Sequence, residues 1–191
     1  RYFRKAFSMS ADLYIHVGLR KTGTTWLQEH VFPNLKGVHF IGKSSNNYPE
    51  WMIDWAHLDD REFLRNTVNI KKRIEQQSAK DRPNLISSES LTNFYNIYRN
   101  AHRISDLFPD AKILITLREP VAVLLSHYNL YVRQAGFFLP INEYLEYGRR
   151  PRDIVYRKPI YVADFFYDEI ISYFKNLFGN ANVYVITFEN M

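Results

Sequence analysis

The sequence predicts an α/β fold in three layers, a mostly parallel five-stranded sheet with helices on both faces. Two observations carry this. Short apolar runs alternate with longer segments of helical periodicity, and the first run passes through a glycine-bounded turn straight into a helix. Strands are expected at Leu13 to Val17, Val38 to Ile41, Leu85 to Ser87, Ile113 to Leu117 and Val183 to Thr187, three of them rich in β-branched residues. Thr24 to Phe32 and the more polar Phe63 to Gln77 read as helices. Ile97 to Phe108 is a third, with Ile97, Ala101, Ile104 and Phe108 on one face before Pro109 ends it. The fourth helix opens at Glu119 or Pro120, in a first turn where the missing proline N–H costs nothing. Tyr161 to Phe178 is the most amphipathic, with Val162, Phe165, Phe166, Ile170, Phe174, Leu177 and Phe178 at helical spacing and Gly179 as its C-terminal cap. Ser44 to Asp60 and Gly136 to Lys158 have weaker periodicity and many Asn, Pro, Arg and Tyr residues, which suits lids and acceptor-facing loops.

The 191 residues, 46% of them hydrophobic, suit one globular unit with one sizeable core. Opening at Arg1 and stopping at Met191 directly after an expected strand, the sequence reads as a processed or truncated chain. No run of about 18 apolar residues occurs, so no membrane segment is expected within it. Without cysteine there can be no disulfide framework, thiolate metal site or Cys nucleophile, and a cytoplasmic, bacterial setting is favoured. An excess of 25 basic over 20 acidic residues gives +5 and a pI near 9.3, which favours anionic ligands without implying nucleic acid. The six histidines include no His-x-x-x-His pair, so no dedicated metal site is expected.

The most informative stretch runs from Leu13 through Gly18-Leu19-Arg20-Lys21-Thr22-Gly23-Thr24-Thr25-Trp26 to Leu27. Strand, turn and helix in that order aim the turn's N–H groups and the positive helix end at a phosphate, and the hydroxyls of Thr24 and Thr25 can donate further. Gly18 and Gly23 let the backbone curl closely around the anion. The spacing matches the ATP-binding phosphate loop, which requires Lys-Ser/Thr after the second glycine. Here Thr24-Thr25 follow, and the lysine has moved inside the loop to Lys21. A kinase also needs a magnesium-holding acid near a neighbouring strand end, whereas the strand at Ile113 to Leu117 ends in Arg118. The ligand should therefore carry a second anionic group that Arg118 meets directly, with no metal between them. A serine in the second helical turn, Ser126, can lean back towards the same strand end.

The run Lys21-Thr22-Gly23-Thr24-Thr25-Trp26 resembles the loop that binds the 5′-phosphosulfate in sulfotransferases dependent on 3′-phosphoadenosine 5′-phosphosulfate (PAPS). A second stretch, Leu117-Arg118-Glu119-Pro120 through Ser126-His127-Tyr128, is similar to that family's other motif, an Arg at a strand end with a Ser eight residues later. Both stand in the family's order, about 90 residues apart, and the resemblance spans Asp12 to Met191, making the chain one sulfotransferase domain. It implies that Arg118 and Ser126 clamp the 3′-phosphate, that Trp26 stacks on or borders the adenine, and that Val183 to Glu189 holds the fifth core strand. It also implies sulfuryl transfer from PAPS to an acceptor hydroxyl or amine, leaving adenosine 3′,5′-bisphosphate; fold and donor site do not fix the acceptor, for which carbohydrate is the first expectation and a small phenol or lipid alcohol the second.

In-line displacement at sulfur requires acceptor positioning, proton removal and stabilisation of the departing phosphate. Lys21, an ammonium within the loop, is the candidate for the leaving-group side, against uniform ligand binding. Family members commonly draw their base from a neighbouring strand end, where Leu85-Ile86-Ser87-Ser88-Glu89-Ser90 offers Glu89 at the edge where open α/β sheets bind ligands. Loop bracing by the same segment is the alternative. Several carbohydrate-modifying members instead take a Glu from just after the second strand, where this chain has Lys43 and Ser44 unless Glu50 reaches in. His57, in an expected lid, is the reserve base. His16 reads as a buried, hydrogen-bonded core residue, and His127 can face nucleotide or core. Arg149, Arg150 and Arg152 form either a solvated basic face or a grip on an anionic acceptor. Two other readings stay open: a small-molecule kinase, and a catalytically silent nucleotide- or carbohydrate-binding module.

Overall fold

A computed structural model describes residues 11–42, 55–92, 96–135, 140–148 and 165–191. All five strands are parallel, in the order β2-β3-β1-β4-β5, with β1 spanning Leu13–Gly18, β2 His39–Gly42, β3 Asn84–Ser87, β4 Lys112–Leu117 and β5 Val183–Thr187. Parallel strands need crossover connections, and these are supplied by α1 (Thr24–Trp26, continued as a π-turn over Leu27–Val31), α2 (Asp60–Gln77), α3 (Ile97–Leu107), α4 (Pro120–Ala135), α5 (Ile141–Gly148) and α6 (Tyr167–Phe178). No helix among the described residues is long and apolar enough to cross a membrane.

Alternation along the strands divides the core. Leu13, Ile15 and Val17 of β1, Ile86 of β3 and Ile113, Ile115 and Leu117 of β4 face Phe63, Ile70 and Ile74 of α2, Ile97, Ala101 and Ile104 of α3, and Ile170 and Phe174 of α6. The opposite face, with Tyr14, Phe40, Leu85 and Leu114, packs under Leu27 and Phe32 at and beyond α1. A third cluster joins Val123 of α4 to Tyr144 of α5, with Phe165 beside them. The sheet is thus covered on both sides, as the pattern of apolar runs predicts.

Every expected strand is present, with ends shifted by at most one residue. Helix starts differ more. Asp59 caps α2 by accepting from the Glu62 N–H at 2.9 Å, so α2 begins at Asp60 and not at Phe63. The helix expected from Tyr161 begins at Tyr167: Phe166 is non-helical and exposed, and Phe165 belongs to the third cluster. Val162 lies outside the described residues. Gly179, at φ 85°, caps α6 as predicted. The two expected lids need correction where they are described. Trp55 and Ala56 are core residues, and Ile141–Gly148 is helical with Tyr144 buried. Glu50, Lys43, Ser44 and the arginines at 149, 150 and 152 lie outside the described residues.

The 55–60 segment is fixed by α3. Arg103, only 3% exposed, donates to the carbonyls of Trp55 (2.7 Å) and Leu58 (2.8 Å) and to Asp60 (2.7 Å), its guanidinium 4.5 Å from the Phe63 ring centre. Removing it strands two inward-facing carbonyls. Arg103→Ala is therefore expected to lower stability by about 3 kcal/mol, measured by urea denaturation. Arg103→Lys should recover only part of this, since an ammonium cannot span three acceptors with planar fork geometry.

Candidate functional site

β1 sits at the centre of the sheet, so the loop after it opens at the middle of the sheet's C-terminal edge, where parallel α/β proteins bind ligands. The loop is tight for visible reasons. A Cβ on Gly18 would overlap the Thr24 methyl and lie 2.8 Å from His16 Cε1 and 2.9 Å from Thr116 Oγ1, so only glycine lets strand, loop and helix meet there. Gly23 has φ 80° and would put a Cβ 2.8 Å from the Phe188 ring. Lys21 has φ 64°, the one positive φ of a non-glycine residue among those described. Such a conformation is costly for a side chain with a Cβ and collects at functional turns. It turns the Lys21 carbonyl towards β4, where Arg118 Nη1 donates to it at 3.2 Å.

Arg118 is thus brought to the loop from the adjacent strand. Its guanidinium lies 4.5 Å from the centre of the Phe188 ring, and one of its five N–H groups is used by the loop, leaving others for a ligand. Backbone contacts fix the base of this side chain. Tyr167 of α6 donates to the Arg118 carbonyl at 3.0 Å, and the Glu119 N–H donates to Glu189 at 2.9 Å. Glu119 caps α4, its carboxylate accepting from Val121 and Ala122 at 2.9 and 2.7 Å. That backbone bond, with the nearby Arg118 charge adding to it, lowers the Glu189 carboxyl below its ordinary range. Burial, with Glu119 and Glu189 nearby, raises Tyr167 to about 12 and keeps it a donor.

The remaining predicted residues divide. Trp26 is 52% exposed, its indole 6.3 Å from the His30 ring, and so presents an open aromatic face beside the loop. Thr25 is exposed and Thr24 buried. The Thr22 side chain is fully buried: its hydroxyl donates to the Leu19 carbonyl at 2.6 Å and lies 3.1 Å from Thr116 Oγ1. Ser126 lies half-buried in the second turn of α4. The next residue, His127, is partly buried. Burial first, then the charges of Arg20 and Lys21, lowers it to about 4, so it is neutral at pH 7. His16 is enclosed, as its place in a strand predicts, with Nδ1 2.7 Å from Ser87 Oγ and Nε2 3.1 Å from Thr116 Oγ1. Glu89 opens a short 3-10 turn, Glu89–Thr92, directly after β3, one strand over from the loop. Asn100 of α3, fully buried, pins that turn through the carbonyls of Ser90 (3.1 Å) and Leu91 (3.3 Å). His57 is exposed, next to the buried Trp55–Ala56 pair.

Several residues escaped the sequence reading. Gln28, Ser87 and Thr116 are polar groups at buried positions by the loop, and Asn100 and Arg103 interrupt the apolar stripe of α3. A polar side chain inside an otherwise apolar period is the signal that marks each of them.

Fold and loop together define an α/β protein with a tight glycine-bounded turn at the C-terminal edge of a parallel sheet. The sulfotransferase domain matches residues 12–191, and the chain belongs to that family. Among solved structures it is similar to a sulfotransferase from Alicyclobacillus acidocaldarius, at 25% identity and a TM-score of 0.64, covering 92% of this chain and 72% of that one. It also aligns with mouse sulfotransferase SULT7A1 complexed with PAP, at 20% identity and a TM-score of 0.44, over 94% of this chain and 52% of that one. None of the curated proteins matches.

Burial makes the site acid-sensitive. His16 falls from 6.5 to about 3 on folding, so below pH 6.5 the unfolded chain binds a proton that the folded chain refuses. Stability is therefore complete above pH 6.5 and is lost as pH falls towards 3. Between pH 7 and pH 5, urea denaturation should show a loss of about 2 kcal/mol from His16, with a smaller one from the part-exposed His127.

Proposed function

We propose that the protein transfers the sulfuryl group of PAPS to an acceptor hydroxyl or amine, with carbohydrate the favoured acceptor class. The observation that carries this reading is the contact between Arg118 and the Lys21 carbonyl. Two cations on neighbouring strand ends lie within the span of one nucleotide, and the second stands where a metal-dependent kinase would need a carboxylate. A ligand with a phosphosulfate at one end and a separate phosphate at the other suits that pair. In this reading the backbone of Leu19–Gly23, Thr24, Thr25 and Lys21 hold the 5′ end, Arg118 and Ser126 the 3′-phosphate, and Trp26 offers its exposed face to the adenine.

Transfer would form a bond from acceptor oxygen or nitrogen to sulfur as the bond from sulfur to the bridging phosphate oxygen breaks. The acceptor's proton passes to Glu89, and charge on the departing adenosine 3′,5′-bisphosphate is met by Lys21 and the loop amides. Orienting the acceptor is as much a part of this role as deprotonating it. The pinning of the Glu89–Thr92 turn by Asn100 supports placing Glu89 in this role, because a base must be held in place.

Calorimetric titration tests the donor site. Adenosine 3′,5′-bisphosphate should bind more tightly than ATP with magnesium, and Arg118→Ala should weaken the bisphosphate by about 30-fold. Tighter binding of ATP with magnesium would return the assignment to a kinase. For the acceptor side, Glu89→Gln should lower kcat about 100-fold with nucleotide affinity changed by less than about twofold. Unchanged turnover would move the base elsewhere, with the His57→Ala variant the next to assay.

A further inference from the structure

Beneath the loop lie five buried polar side chains, each at most 2% exposed: His16, Thr22, Gln28, Ser87 and Thr116. Gln28 Nε2 donates to Ser87 Oγ at 2.8 Å, and the remaining contacts run from Ser87 to His16, from His16 to Thr116, from Thr116 to Thr22, and from Thr22 to the Leu19 carbonyl. None of these side chains reaches a ligand in the reading given above. Polar groups taken out of water at this density are costly unless each is satisfied, so the chain has a use that offsets its burial.

We infer that these groups form a single one-way chain of hydrogen bonds that sets the shape of the phosphate loop, with Thr116 as the positioning residue and His16 locked as its Nε2–H tautomer. The direction follows from counting protons. A carbonyl can only accept, so the one hydroxyl proton of Thr22 lies on the Leu19 carbonyl. Thr22 must then accept from Thr116, whose single proton is thereby used. Thr116 in turn can only accept from His16, which places the ring proton on Nε2. A neutral ring then has a bare Nδ1 that accepts from Ser87, and Ser87 accepts from the Gln28 amide. The Gln28 amide, donating to Ser87, is compatible with that direction. Each hydroxyl proton and the ring proton is used once, and no acceptor is doubled.

The chain crosses three adjacent strands and ends on the first carbonyl of the loop. Thr116 pairs with Gly18 across the β1–β4 ladder, and its own carbonyl accepts the Leu19 N–H at 3.4 Å, so its backbone and side chain both act on the loop's first turn. Replacing its hydroxyl by a methyl group of equal shape removes one acceptor and one donor at the chain's midpoint. The strand keeps its packing, while the loop loses the group that holds it from below.

The inference rests on the nucleotide reading of the loop only for its affinity readout. Long-range proton–nitrogen correlation spectra of the unliganded protein should show His16 protonated at Nε2 alone near pH 7; protonation at Nδ1 overturns the chain's direction. Thr116→Val and Thr116→Ser are then compared by amide hydrogen exchange over residues 19–23 and by titration with adenosine 3′,5′-bisphosphate. The valine variant should unfold cooperatively yet exchange its loop amides about tenfold faster and bind about tenfold more weakly, with serine within about twofold of the wild type. Valine indistinguishable from wild type in both measurements overturns the positioning role. If the wild type fails to bind the bisphosphate, the nucleotide reading fails, while tautomer and exchange still decide the chain.

Discussion

A loop can point several amides at one anion only if something other than the anion holds it in that shape. Here the holding is done from below, by side chains of three parallel strands that converge on Leu19 and Thr22. Gly18 is the space this requires: with any Cβ there, the Thr24 methyl, the His16 ring and the Thr116 hydroxyl could not all approach. The strained backbone of Lys21 belongs to the same construction, because the chain has to reverse between a fixed Leu19 and the start of α1. A preorganised cradle of this kind costs little when its ligand arrives, since the ordering is complete before binding.

The second cation is braced differently. Arg118 stands at the end of β4, and three contacts fix its surroundings: the Phe188 ring beneath the guanidinium, Tyr167 on its carbonyl, and Glu189 on the next N–H. Two of these come from the turn after β5, so the final strand of the sheet contributes to a site that opens beside the first. The carboxylates of Glu119 and Glu189 are spent on backbone N–H groups. Their negative charge is thereby tied to backbone donors beside Arg118.

On the other side of β1 the supports come from α3. Asn100 holds the turn after β3, and Arg103 holds the stretch leading into α2, in each case by donating to backbone carbonyls. The helix face that packs on the sheet thus also carries the polar groups that shape two loops. That dual use explains why α3 is less uniformly apolar on its buried face than a purely packing helix would be.

Much of this was legible in the chain of residues alone, because it depends on local order. Alternating apolar runs place the strands, Gly18 and Gly23 mark the tight turn between β1 and α1, and Arg118 is legible as the residue that follows β4, all from neighbours in sequence. Helix starts were read less well: the Asp59 cap and the break at Phe166 depend on one hydrogen bond and on which cluster Phe165 joins. Thr22 shows the limit most clearly. Its place in the loop does not say where its hydroxyl goes, and the side chain turns inward to Thr116, 94 residues away. Ser87 and Thr116 stand 71 and 100 residues from His16, and nothing local joins them. Only the strand order, which sets β1 between β3 and β4, brings those side chains within hydrogen-bonding distance. The sequence by itself determined where the strands and the glycine-bounded turn lie, and the packing of parallel strands decided which side chains hold that turn still.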